Sequence, residues 1–454
     1  MSFPRHAKYM DSGVDWLSQI PSHWAVKRLR FVAELNPSKS EVSHLAADTE
    51  VSFLPMEAIG EDGSLELDRV RPLADVQTGY TFFRDGDVTI AKITPCFENG
   101  KGAAMRDLCN GIGFGTTELI VTRPKATQTT STYLHWLFTS RPFRKAGEAF
   151  MYGAGGQKRV PDDFVRDFAI GFPPLPEQRH IVTFLDREAA KIDALVEEQR
   201  RLIELLKEKR QAVISQAVTK GLNPNVQMKD SDVEWFGKVP THWEVKSIKH
   251  CCMTTSGGTP NTAQQEAYYT DETGIPWIRT MDLTNELLTS VEVYITEQAL
   301  QDTACKVLPP GTVMVAMYGG DGTVGKNGLL GIPAAINQAV CGLLPSHSVV
   351  PEFLFRYIQF FRPFWMVGAE SSRKDPNISQ ERVRNAPVLL PPMAEQLAIV
   401  EFLRLESDRF EALSAEAQRA VELLQERRAA LISAAVTGKI DVRGLAPQRE
   451  AVAA

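Results

Sequence analysis

At 454 residues, with 43% hydrophobic and 23% charged positions, the chain has the make-up of a globular protein and the length of roughly three domains. A formal charge of −6 excludes a uniformly basic nucleic-acid binder but leaves local patches open, and those set the field that a phosphate meets. No run approaches about 18 apolar residues, MSFPRHAKYMDSG lacks an apolar signal core, and six scattered cysteines offer neither a disulfide framework nor zinc spacing, so a cytoplasmic chain with reduced thiols, no membrane span and no metal site is expected.

Residues 11–30, DSGVDWLSQIPSHWAVKRLR, return at 230–249 as DSDVEWFGKVPTHWEVKSIK, with nine of twenty positions identical at an offset of 219. Strands are predicted at Val88 to Thr94 and Thr116 to Thr122, followed by a helix at Thr132 to Phe138 that reaches an RPF tripeptide at Arg141. PPLPEQRHIVTFL from Pro173 returns as PPMAEQLAIVEFL from Pro391, with eight of thirteen identical at 218. Two unrelated anchors at nearly one spacing mean a duplicated half. Beyond the first anchor, Val182, Leu185, Ala189, Ile192, Val196, Gln199, Ile203, Leu206, Arg210, Val213 and Ala217 alternate in steps of three and four, a heptad seam on a helix of about 40 residues. Gly221, Asn223 and Pro224 mark its exit, and residues 222–229 read as a linker. In the second half, strands are predicted at Val313 to Tyr318 and Ala335 to Leu343, and a helix at Pro351 to Phe361 again reaches RPF, at Arg362. The second seam runs through Val400, Leu403, Ser407, Phe410, Ser414, Ala417, Val421, Leu424, Arg428, Leu431 and Ala435, and leaves at Gly438; Arg210 and Arg428 are the same flaw in both copies.

The predicted fold is therefore α+β: two mixed α/β modules, 1–175 and 222–390, separated by two long helices, 176–221 and 391–440, with a pseudo-two-fold internal repeat and a structureless tail at 441–454. An internal antiparallel coiled coil would bury Leu185, Ile192, Leu206 and Val213 with Leu403, Phe410, Leu424 and Leu431. Packing of each helix on its own module, or on another chain, satisfies the same pattern.

Several loops carry groups suited to DNA. Lys92 and Thr94 lead into PCFENGKG, where Phe97 offers a ring, Glu98 and Asn99 polar ends for base edges, and Lys101 a charge for phosphate; such a loop is also an ordinary solvated turn. GAGGQKRV joins permissive glycines to Gln157, Lys158 and Arg159, and GAESSRKD keeps a basic pair as Arg373 and Lys374. In the second copy Gly257, Gly258 and Thr259 of SGGTP present backbone amides to a phosphate, Arg279 follows Trp277 in IPWIR, and Tyr318, Thr323 and Lys326 belong to a glycine-rich strand tip. GDGTVGK, ending at Lys326, approaches a P-loop but is followed by Asn327 and a segment that cannot open a helix. His23 and His242, each in an HW pair, suit the packing of the duplicated frame. No nucleophile, base and orienter come together, and no cofactor loop or metal-nuclease carboxylate set is present, so catalytic residues and cofactors are expected to be absent from this chain.

The motifs DSGVDWL, PSHW, ITPCFENGKG, GIGFGTTEL, PPLPEQ, AVTKGLNP, DSDVEW, PTHW, SGGTP, IPWIR, INQAV, PPMAEQ and AVTGKIDVRG, taken together, resemble the specificity subunit of type I restriction-modification systems over nearly the whole chain. The resemblance implies that each module is a target recognition domain reading one half of a split, asymmetric double-stranded DNA site, with the helices paired as a spacer. It also implies docking of two methyltransferase subunits that supply S-adenosylmethionine, and of restriction subunits that bring ATP and Mg. A fused methyltransferase or nuclease, and a coiled-coil scaffold without a nucleic-acid role, are the rival classes.

Overall fold

The computed structural model describes residues 3–445 apart from 155, 272, 320, 321 and 367–376. The chain divides into two units, Met1–Arg200 with Gln418–Ala454, and Arg201–Ala417. Among the described residues no helix is long and apolar enough to cross a membrane.

In the first unit Val88–Ala91 is apolar or uncharged throughout and buried at every position, as a central strand must be. It pairs antiparallel with Leu119–Pro124, Ile120 facing Ile90, and with Gly102–Ala104; Ala33–Leu35 completes this four-stranded sheet. A second four-stranded sheet has the order Val70–Pro72, Glu50–Leu54, Ile112–Gly115, Thr81–Arg84, with one parallel pair, Gly113 opposite Ser52. The expected strand from Thr116 begins three residues later. Thr116 Oγ1 accepts the Glu118 N–H at 3.2 Å, a turn that carries the chain from the second sheet to the first.

The second unit repeats this plan. Thr254–Ser256, Val340–Leu343, Val313–Ala316, Asn327–Leu330 and Leu287–Leu288 form one sheet; Tyr269–Thr270, Tyr294–Ile295, Ile275–Ile278, Ala334–Ile336 and Val307–Leu308 form the other. Its parallel pair sets Trp277 opposite Ala335. The strand predicted across Ala335 to Leu343 is two strands in two sheets, because Asn337 Oδ1 accepts the Ala339 N–H at 3.1 Å and turns the chain between them. The helix Pro351–Phe361 has the expected bounds, and the segment after Lys326 is the strand Asn327–Leu330, which no P-loop would have.

Two residues of the supposed linker, Met228 and Lys229, belong to the strand Met228–Asp230, paired with Lys238–Pro240. The tail also differs from expectation. Val442 is buried in the core of the first unit, and the Arg187 guanidinium donates to the Leu445 carbonyl at 3.0 Å, so residues 441–445 are docked; the remainder of the tail lies outside the described residues.

The long helices are Leu175–Lys220 and Met393–Val436. Every seam position is buried or half-buried, and between Ala189 and Val213 every other position is exposed, so the heptad reading describes the buried stripe residue by residue. In the first unit Leu185 and Ile192 share a core with Leu431, and Leu424 packs against it; in the second, Val213 packs against the core that holds Leu403, with Leu206 and Phe410 buried on the same two helices. Both helices leave through a glycine with positive φ, Gly221 at 74° and Gly438 at 72°, a conformation that costs glycine least.

The PPxxEQ anchor is explained by its last two residues. Glu177 accepts from Trp24 Nε1 at 3.1 Å and pairs with His23 Nε2 at 2.7 Å; Glu395 does the same for Trp243 and His242 at the same distances. The next residue turns back on the prolines: Gln178 Nε2 donates to the Pro173 carbonyl at 3.0 Å, and Gln396 Nε2 to that of Pro391 at 2.9 Å. Each long helix is thus clamped at its start to the HW pair of its own copy.

Candidate nucleic-acid interface

The loop between Val88–Ala91 and Gly102–Ala104 and the loop between Val313–Ala316 and Asn327–Leu330 hold the same place in matching sheets. Each is tied to the helical RPF segment. Arg144 Nη1 donates to the Glu98 carbonyl at 2.8 Å in the first unit, and Arg362 Nη2 to the Gly322 carbonyl at 2.5 Å in the second.

In the first unit two stretches that are far apart in sequence come together. The Thr94 N–H donates to the Lys158 carbonyl at 2.9 Å, the Lys158 N–H to Thr94 Oγ1 at 3.0 Å, and the Val160 N–H to the Lys92 carbonyl at 2.8 Å. Glu98, Asn99, Gln157 and Lys158 are exposed along this ridge, while Lys92, Thr94, Lys101 and Arg159 are half-buried. Asn99 Nδ2 donates to Glu61 Oε1 at 2.6 Å. Arg159 is held by Glu118 through contacts of 2.7 to 3.1 Å, which keep the carboxyl below its usual pKa and raise that of the guanidinium. Phe97 differs from expectation. It is 1% exposed and packs against Phe143, with Gly147 leaving room for its ring, so it supports the loop from inside and offers no stacking face.

Tyr152, which pairs with Arg159 in a β-bridge, is 64% exposed, and Phe150 is 61% exposed. Tyr152 thus borders the ridge, while the Phe150 ring lies 5.3 Å from that of Phe164; neither was legible in the sequence, since single aromatic residues without periodicity carry no signal.

In the second unit the SGGTP amides are already used. The Gly257 N–H donates to the Asn337 carbonyl at 3.3 Å and the Gly258 N–H to that of Ile336 at 3.2 Å. The glycines are needed for close approach, as a Cβ on Gly257 would lie 1.6 Å from the Ile336 oxygen, and they leave no free amide pair for a phosphate. The Thr259 hydroxyl donates to Gln338 Oε1. Arg279 is bound by Asp282, at 2.9 and 3.1 Å, and by Glu292 at 3.3 Å, so its charge is neutralised locally. Tyr318, Thr323 and Lys326 are half-buried on the loop. Arg373 and Lys374 lie outside the described residues.

Residues 240–421 match the family described as the type I restriction modification DNA specificity domain. The match takes in 182 of the chain's 454 residues. It is similar to the type I restriction enzyme EcoAI specificity subunit of Escherichia coli, 44% identical over 189 residues that make up 41% of this chain and 31% of that protein. Similarity to the EcoEI specificity subunit of Escherichia coli is 40% over 166 residues, 36% of this chain and 27% of the relative. The chain thus spans less than a third of the length of these two curated relatives. Among solved structures, a chain from a study of assembly and conformational transition in the type I R-M system matches with a TM-score of 0.75 at 18% identity, covering 92% of this chain and 99% of its own length. The HsdS subunit from Thermoanaerobacter tengcongensis matches with a TM-score of 0.57 at 18% identity, covering 94% and 100%. At such identities these likenesses show a shared fold and nothing more.

Proposed function

We propose that this chain is the non-catalytic, sequence-reading subunit of a type I restriction-modification complex in the cytoplasm. Each module reads one half of a bipartite, asymmetric duplex site. The paired helices set the unspecified spacer and dock two methyltransferase subunits, which bind S-adenosylmethionine, while restriction subunits bring ATP and Mg. The observation that carries this reading is the matched pair of hairpin loops: one frame position in both modules, with unrelated sequences, ITPCFENGKG against the segment ending at Lys326. Two copies of one geometry with different tips are suited to reading two different half-sites. In the first module the reading assigns base contacts to Asn99 and Gln157 and phosphate contacts to Lys92, Lys101 and Lys158; in the second, contacts fall to Tyr318, Thr323, Lys326, Arg373 and Lys374. An acidic total charge fits a subunit whose partners supply much of the phosphate contact.

The test is methylation mapping in cells that express the chain with its methyltransferase, before and after the tip of the 92–101 loop is replaced. One half-site should change, with the other half-site and the spacer unaltered. Unchanged methylation, or methyl transfer by the purified chain alone, would overturn the reading.

A further inference from the structure

The His-Trp-Glu clamp is complete in the second unit with His242, Trp243 and Glu395. The first unit adds a third group that the clamp does not require. The His6 side chain is 2% exposed and its Nε2 lies 3.8 Å from Glu177 Oε1. Its Nδ1 is buried without a hydrogen-bond partner among the described residues. The residue at the repeat position of the second copy is Asn225, which is exposed.

One ligand atom from each of His6, His23 and Glu177 lies within 4.8 Å of the others. Tetrahedral zinc with bonds of about 2.0–2.1 Å needs its ligand atoms roughly 3.3 Å apart. His23 Nε2 lies 2.7 Å from Glu177 Oε2 and His6 Nε2 lies 3.8 Å from Oε1, one on each side of that figure, so side-chain rotations that bring both rings to one carboxylate oxygen would close the set. Outer partners are in place too: Asp441 Oδ2 faces His6 Nδ1 at 3.6 Å, and Trp24 Nε1 holds Glu177 Oε1 at 3.1 Å. A carboxylate behind a ligating imidazole is what orients such ligands. The His23 side chain is 37% exposed, which leaves a route in and room for water as a fourth ligand.

We propose that His6, His23 and Glu177 form a binding site for one divalent cation of the zinc class in the first unit. Two imidazoles and one carboxylate suit zinc or cobalt and not the all-oxygen preference of calcium or magnesium. The cation stabilises the region where the N-terminal segment, the PSHW turn, the first long helix and Asp441 meet. The ligands come from positions 6, 23 and 177, a separation that no spacing motif registers, so this grouping is not legible in the sequence.

The test uses the full chain, stripped with a chelator and titrated with Co²⁺ while visible absorption is followed, and with Zn²⁺ by calorimetry. The expected result is one saturable site per chain, with the intense bands of four-coordinate cobalt and a thermal transition raised by zinc. Affinity should fall at least tenfold in His6→Ala and in His6→Asn, the latter carrying the second copy's own residue, and should be unchanged in His242→Ala. No saturable binding, two equivalent sites, or affinity indifferent to both His6 variants overturns the proposal. If His6→Ala does not fold, His6→Asn and the cobalt spectrum of the unaltered chain decide it.

Discussion

The Arg428 guanidinium lies 2.8 Å from the Asp193 carboxylate, joining the end of the second long helix to the first half of the first long helix. Arg210 meets Glu411 at 3.1 Å in the other unit, and the partners of the two pairs are related by the same repeat offset of 218. The charge that interrupts each seam is therefore matched by an acid on the facing helix. Exposed pairs of this kind contribute about 0.2–1 kcal/mol, enough to favour one register without supplying the bulk of stability. Arg428→Glu should lower the urea midpoint of the first unit, and Asp193→Arg in the same chain should restore most of it. Double variants no more stable than the sum of the single ones would mean that the pair is uncoupled.

Lys158 and Arg159 are neighbours with different expected roles. Lys158 is exposed and has no ion pair among the described residues, whereas Arg159 is bound to Glu118. Lys158→Ala should weaken DNA binding by the assembled complex and reduce the salt slope by about one unit. Arg159→Ala should instead loosen the ridge, with a changed half-site preference and little change in slope. Binding measured across a salt series separates the two.

Removing the clamp carboxylate leaves a buried indole N–H and an imidazole without their acceptor. Glu177→Ala should cost the first unit about 1–3 kcal/mol, and Glu395→Ala should cost the second a similar amount. Calorimetry should find each variant lowering the transition of its own unit.

Phe97→Ala should act on stability as well. A ring with 1% exposure has the character of a core side chain, and its truncation costs about 3–5 kcal/mol where the cavity does not collapse. Denaturant unfolding reads this directly; a well-folded Phe97→Ala protein with a lost half-site would restore the stacking role.

Asp441 gives an acid-sensitive contact. The Arg443 side chain hydrogen-bonds it, with help from the Arg443 N–H and nearby His6, and holds its pKa down to about 2. A carboxyl depressed in the folded state stabilises above its unfolded pKa of about 3.9, and that stability fades as pH falls toward the folded value. Asp441→Asn should therefore be less stable than the unaltered chain at pH 6, with the difference shrinking between about pH 4 and pH 2. Unfolding curves at several pH values test this.

The frame was legible in the sequence because it depends on periodicity. The seam from Val182 to Ala217 follows from burying one stripe of a helix, and strands such as Val88–Ala91 from burying both faces. What escaped depends on contacts between distant residues. Nothing local in PPLPEQ tells that Glu177 meets His23, and Phe97 sits in a polar loop yet points into the core. The SGGTP glycines read as a phosphate cradle until Ile336 is seen against Gly257. Likewise the apparent strand from Ala335 to Leu343 hides a turn whose signal is one asparagine side chain.

The first unit is discontinuous in the chain: residues 1–200 share their core with Val421, Leu431, Ile432, Ala435 and Val436. The second unit, residues 201–417, is a single uninterrupted stretch. On the ribosome the order of completion is therefore reversed. The module synthesised first waits, with an apolar stripe from Ile181 to Val196 unpaired, until residues 421–436 are made, while the module synthesised second can close earlier. A nascent chain arrested at residue 417 should have a protease-resistant second module beside a susceptible first one. A chain that stops short of residue 421 should therefore have a damaged first unit and an intact second one.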